Sequence, residues 1–111
     1  QVGEIMTSEL IKIKLIDKVD LKNETKKSPA YKKYFMHGTS HHIGLDVHDV
    51  GNFYVDLKPG NVFTVEPGIY IREEKIGVRL EDNILIGDND NINLMENIPI
   101  LPDEIEDIMN K

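Results

Sequence analysis

Cysteine is absent from this sequence, which excludes disulfides and thiolate-bound metal. A reducing compartment, and with it a cytoplasmic location, is the simplest expectation. No apolar run approaches the about 18 residues that a membrane-spanning helix needs, and no signal-peptide pattern opens the chain. Basic residues are few, 13 against 20 acidic, for a net charge of −7. Apart from a lysine-rich stretch around Lys26, Lys27, Lys32 and Lys33 they are scattered, which argues against nucleic-acid binding by phosphate neutralisation. The sequence has no Gly-rich phosphate loop, no H-E-x-x-H or Cys/His zinc pattern, and no arrangement that supports Ser-His-Asp chemistry. Internal repeats and low-complexity segments are missing too.

What is present is a globular composition, 40% hydrophobic and 30% charged over 111 residues, the size of one small domain. The first residue is Gln1 rather than Met, which suggests a piece of a longer polypeptide. Residues 3–16, GEIMTSELIKIKLI, place Met6, Leu10 and Ile13 at helical spacing, although the alternation of Ile11, Ile13 and Leu15 also suits a strand. Residues 17–27 are polar and loop-like. Ser28-Pro29 has the form of an N-cap followed by proline at the first helical position, opening a short helix through Tyr31 and Tyr34. Residues 58–61, KPGN, carry the Pro-Gly centre of a type II turn. Two β-rich runs come next, VFTVEPGIYI (residues 62–71) and IGVRLEDNILI (residues 76–86), separated by the polar REEK. GDNDN is a further turn. The chain closes on a predicted helix from Pro102 with Ile105, Ile108 and Met109 on one face, its acidic side turned to solvent.

If the two runs pair antiparallel about a turn centred on Glu73 and Glu74, Glu66 falls opposite Glu81. Like charges so placed are destabilising, and a divalent cation is the simplest remedy. Arg79, two residues before Glu81, projects from the same face and can hold a neighbouring carboxylate in place. The Pro-Gly after Glu66 can shift the register by one, and two exposed glutamates remain the plainer alternative.

All four histidines lie within residues 37–48, in HGTSHHIGLDVHD. That concentration points to a metal or acid/base site without saying which histidine does what. His41 and His42 are adjacent and would point opposite ways on an extended segment, so at most one is a ligand, and loss of His42 would cost little. Asp46 and Asp49 read as turn-formers or hydrogen-bond partners, and Tyr31, Tyr34, Phe53 and Tyr70 as packing residues.

Three segments in this order, YFMHGTSHHIGLDVHDVG, VFTVEPGIYI and GVRLEDNILI, together resemble the C-terminal part of the catalytic domain of Xaa-Pro aminopeptidases (aminopeptidase P). These belong to the pita-bread metallopeptidases, with prolidase and methionine aminopeptidase. NLMENIPILPDEIEDIM resembles the tail of the same family. The resemblance implies an α+β class, the C-terminal half of a pita-bread fold with a curved antiparallel sheet and flanking helices. It also implies two divalent metal ions, usually Mn²⁺, with Zn²⁺ or Co²⁺ as alternatives, bound by two aspartates, one histidine and two glutamates.

His41 matches the metal-binding histidine, Glu66 the glutamate that holds metal and serves as general base, and Glu81 the bridging glutamate. His37 and His48 match histidines lining the substrate site, His48 as proton shuttle or stabiliser of the tetrahedral intermediate. Arg79 matches the arginine that buttresses the ligands, and His42 falls at a variable position. The two aspartates have no match here. Residues 1–111 are therefore expected to be the second part of a catalytic domain whose upstream half is absent, a piece that alone binds metal weakly and catalyses poorly. The expected partners are peptides with proline second, not nucleic acid or membrane. Apolar surface left by the absent half makes homo-oligomers plausible. A prolidase-type dipeptidase and a non-catalytic peptide-binding pita-bread module are the competing readings.

Overall fold

A computed structural model describes residues 1–111, which form two compact units. One comprises Gln1–Thr39 with Pro67–Arg79, the other Ser40–Glu66 with Leu80–Lys111.

In the first unit, helix α1 (Val2–Lys12) buries Met6 and Leu10 on one face, as the spacing predicts. It stops earlier than expected. The Lys14 backbone turns left-handed (φ 61°), and the amides of Leu15 and Lys14 close back on the carbonyls of Leu10 and Ile11, a Schellman ending built without glycine. Ile13 is left 56% exposed, and Ile16 takes its place in the core, 3% exposed. The region expected as loop contains a second helix, α2 (Lys18–Asn23), started by Asp17. The Asp17 carboxylate accepts from Val19 N at 2.7 Å and Asp20 N at 3.0 Å, while the Asp20 carboxylate accepts from Asp17 N at 2.9 Å. The bonds that the Asp17 carboxylate accepts, first from the Asp20 amide and then from the Val19 amide, hold its pKa below the ordinary value.

Ser28 does not act as a helix cap. It pairs with Thr25 across a short bridge, and a single 3₁₀ turn, Ala30–Lys33, begins after Pro29. Leu10, Ile16 and Tyr34 form the buried cluster, with Leu15, Leu21, Tyr31, Ile69 and Ile71 packed around it. A fully buried leucine such as Leu10 typically contributes about 2–5 kcal/mol.

The KPGN turn forms as read: Asn61 N donates to Lys58 O at 3.0 Å, and Gly60 sits at φ +87°, the left-handed value a type II turn requires. It feeds β1 (Val62–Val65), then β2 (Gly68–Ile71). A 3₁₀ turn, Arg72–Glu74, is closed by Lys75 at φ 56°, before β3 (Ile76–Arg79) and β4 (Asp82–Leu85). Each predicted long strand is thus divided at its middle, where Pro67 offers no amide to the ladder. The register is the expected one on both sides of the break. Val65 faces Asp82 and Gly68 faces Arg79, so no slip occurs at Pro67.

The antiparallel sheet is therefore present as two hydrogen-bonded pieces, β2–β3 in the first unit and β1–β4–β5 in the second, where β5 spans Ile92–Asn93. Helix α3 (Pro102–Met109) starts at the expected proline and buries none of its residues; Ile105, Ile108 and Met109 are all exposed. No helix is long and apolar enough to cross a membrane.

Candidate metal centre

Within the second unit, β1 alternates. Phe63 and Thr64 are both buried but project to opposite faces, and Glu66, one step beyond the strand, shares the face of Thr64. The ladder pairs Thr64 with Asn83 and Val65 with Asp82, so one further step sets Glu66 against Glu81.

His41 is brought to the same face by Thr64. Its amide donates to Thr64 Oγ1 at 3.0 Å, and the Thr64 amide donates to the His41 carbonyl at 3.1 Å. A threonine with no exposed surface therefore anchors His41 through main chain and side chain together. The ring is fixed as well. Nδ1 lies 2.9 Å from the His42 carbonyl oxygen, which can only accept, so Nδ1 carries a proton and donates. Nε2 then faces Glu66, 3.5 Å from Oε1, with the two side chains only 14% and 13% exposed.

One ligand atom each from His41, Glu66 and Glu81 all lie within 4.8 Å of one another, Glu81 being the exposed member. An imidazole nitrogen with two carboxylate oxygens is a donor set for a divalent cation of borderline character. The opposed glutamates supply the electrostatic reason for one. The residues present therefore fit a metal site.

His48, expected near the substrate, is exposed, and its ring centroid lies 4.3 Å from that of His41. His42 turns the other way, as its adjacency to His41 requires. It bridges to Phe63, and its ring packs against Phe63 at 4.3 Å and Phe53 at 4.9 Å. Asp49 is a turn-former, its carboxylate accepting from Leu45 N at 2.9 Å and Val50 N at 2.8 Å.

His37 and Arg79 belong to the first unit, where they meet at a residue read only as packing. The Tyr70 hydroxyl lies 3.0 Å from His37 Nε2 and 3.5 Å from Arg79 Nη1. His37 Nδ1 sits 2.6 Å from the Gly38 carbonyl and so donates there. Nε2 can then take the Tyr70 O–H, while the Tyr70 oxygen accepts from Arg79. The ring of Tyr70 needs the bare backbone of Gly77, where a Cβ would come within 2.8 Å of it. The register held the signal for this: Tyr70 opposes Gly77 and Arg79 opposes Gly68, which makes Tyr70 and Arg79 diagonal neighbours on one face.

Comparison with known proteins places the chain in a family. Residues 6–88 match the model of metallopeptidase family M24. The chain is 42% identical to the Xaa-Pro aminopeptidase of Escherichia coli K12 over 98% of its own length and 27% of that protein. It is equally 42% identical to the Xaa-Pro aminopeptidase of Haemophilus influenzae, over 92% of this chain and 28% of the relative. Among solved structures, Zn-substituted E. coli aminopeptidase P in complex with product superposes with a TM-score of 0.79 at 38% identity, covering 98% of this chain and 28% of that one. The chain thus spans a little over a quarter of the length of these relatives, and the α+β pita-bread class read from the sequence stands.

Proposed function

The chain belongs to metallopeptidase family M24, a family that works with divalent metal ions, and on that premise we propose that it is the metal-binding C-terminal part of an Xaa-Pro aminopeptidase. The reaction is hydrolysis of the bond between an N-terminal residue and a following proline. The observation that carries this reading is the convergence of His41, Glu66 and Glu81 on one small volume. In the proposal two ions occupy the complete site, Mn²⁺ before Zn²⁺ or Co²⁺, with two aspartates from sequence outside residues 1–111 completing the ligands. Residues 1–111 alone are then inactive. A cytoplasmic setting, supported by the lack of cysteine, and self-association through exposed apolar surface belong to the same reading.

Bound divalent ions supply Lewis acidity and make hydroxide available near neutral pH. The remaining work falls to side chains. Glu66 accepts the proton of the attacking water, and its restricted exposure limits competition from bulk solvent. His41 presents Nε2 because Nδ1 is committed to the His42 carbonyl. His48, exposed beside His41, can exchange protons with solvent and steady the developing oxyanion. His37 and Arg79 are assigned, from the sequence resemblance, to lining the substrate site and buttressing the ligands.

The test is cleavage by the full-length parent in Mn²⁺, with an Xaa-Pro-Xaa tripeptide and an Xaa-Pro dipeptide offered side by side. Release of the first residue from the tripeptide is expected. Cleavage of the dipeptide alone would move the assignment to a prolidase-type enzyme, and cleavage of neither would favour a peptide-binding module.

A further inference from the structure

His42, next to the metal-binding histidine, has surroundings unusual for its residue type. The ring lies between Phe53 and Phe63, and its Nε2 is buried with no hydrogen-bond partner. An imidazole chosen for polarity would have that nitrogen paired. Here the ring serves as a flat aromatic body.

The seat of the ring is equally specific. Any Cβ at Gly51 would collide with His42 at Cδ2, Nε2 and Cγ. Gly51 is thus required by close approach, not by an unusual backbone angle. The main chain of His42 is what the seat controls. Its carbonyl oxygen receives two donors, His41 Nδ1–H at 2.9 Å and the Asp49 amide at 3.1 Å, which use both lone pairs. The first of these bonds keeps a proton on His41 Nδ1 and fixes the ring so that Nε2 faces Glu66. Second-layer contacts of this kind orient ligands and set their basicity.

We propose that His42 is a positioning residue for His41: its ring, wedged by Phe53 and Phe63 against Gly51, holds the His42 carbonyl where it locks His41 with Nδ1 protonated and Nε2 facing Glu66. The proposal rests on the reading of His41 as a metal ligand for its consequence in metal binding, but not for the tautomer itself. It also revises the expectation from the sequence alone, since a side chain aimed away from the site now determines the state of the one aimed into it.

The test uses the full-length protein with His42→Ala, His42→Phe, Gly51→Ala and the His42→Ala/Gly51→Ala pair, each checked for fold by circular dichroism. Titration with Mn²⁺ alone should show affinity falling by about 10–100-fold in His42→Ala and in Gly51→Ala. His42→Phe, which keeps the flat ring and discards the unpaired nitrogen, should stay within about threefold of the parent, since its ring restores the wedge. The double variant should be no weaker than His42→Ala, because the alanine at 51 then has nothing to strike.

Independently, ¹⁵N spectra of histidine-labelled, metal-free protein should show His41 as the Nδ1–H tautomer in the parent and in His42→Phe, and as a mixture in His42→Ala. His42→Phe as weak as His42→Ala, or an unchanged tautomer in His42→Ala, would overturn the proposal. If the parent itself fails to bind Mn²⁺, the metallopeptidase reading falls, and the tautomer comparison decides the positioning claim alone.

Discussion

The two sheet pieces are paired in the same phase and treat charge in opposite ways. In β2–β3, tyrosine opposes glycine and arginine opposes glycine, and the guanidinium, phenol and imidazole of Arg79, Tyr70 and His37 hydrogen-bond among themselves. Beside β1–β4, two carboxylates are opposed and a buried-edge histidine joins them. The first arrangement pairs donors with acceptors, Arg79 with Tyr70 and Tyr70 with His37. The second gathers two carboxylates and an imidazole, a donor set that a divalent cation strengthens. The difference teaches where a metal should act: it should strengthen the second unit's sheet and leave the first unit's sheet alone.

The severest way to break the comparison is Glu66→Gln in the full-length parent. Turnover is expected to fall about a thousandfold or more with circular dichroism unchanged, and activity within tenfold of the parent would remove Glu66 from its role. Next in size is the stabilisation by metal itself. Mn²⁺ at a hundred times its dissociation constant should add about 2.7 kcal/mol, seen as a raised Tm and as slower amide exchange in β1 and β4 but not in β2 and β3. Glu81→Gln should largely remove both effects, and equal protection of the two sheets would contradict the contrast.

Tyr70→Phe probes the other side. Removing the hydroxyl should cost about 1 kcal/mol of stability and leave Mn²⁺ affinity intact, and a loss of metal affinity would show that the hydroxyl acts on the ligands through Arg79. The smallest effect lies far from both. Asp17 has a lowered pKa in the folded chain, so its capping stabilises above the ordinary aspartate range and is lost as pH falls below about 4. Amide exchange in α2 should therefore quicken there, and Asp17→Asn, which caps without titrating, should remove that pH dependence.

The hairpin pairing was legible because three local signals agree: β-rich runs, a polar turn of fixed length, and the Pro-Gly of KPGN. Glu66 opposite Glu81 came from counting alone. Other features were hidden for identifiable reasons. Helix α2 is six residues long with nothing buried, so it has no apolar period, and only its Asp17–Asp20 capping pair betrays it. The end of α1 depends on a lysine taking the left-handed backbone that glycine usually signals. The task of Tyr70 lies in its hydroxyl, which composition counts as aromatic packing. That of His42 lies in its carbonyl, which no side-chain pattern can report. The apolar stripe of α3 was read correctly from its spacing, yet spacing says nothing about what covers it.

The turn from Arg72 to Lys75 has a consequence for how the sequence can vary. Its side chains are exposed, so replacing them is cheap except at Lys75, whose left-handed backbone disfavours β-branched residues and proline. Its length is another matter. Between the two sheet pieces one strand contributes Glu66 and Pro67 and the other Leu80 and Glu81, so the count set at the turn is carried unchanged to the carboxylates. One inserted residue would move every facing partner by a single place and, because side chains alternate, send the Glu81 carboxylate to the far surface. This segment should therefore accept most spellings that keep a residue at ease in the left-handed region at its last position, and no change of a single letter in length: a ruler whose span matters more than its markings.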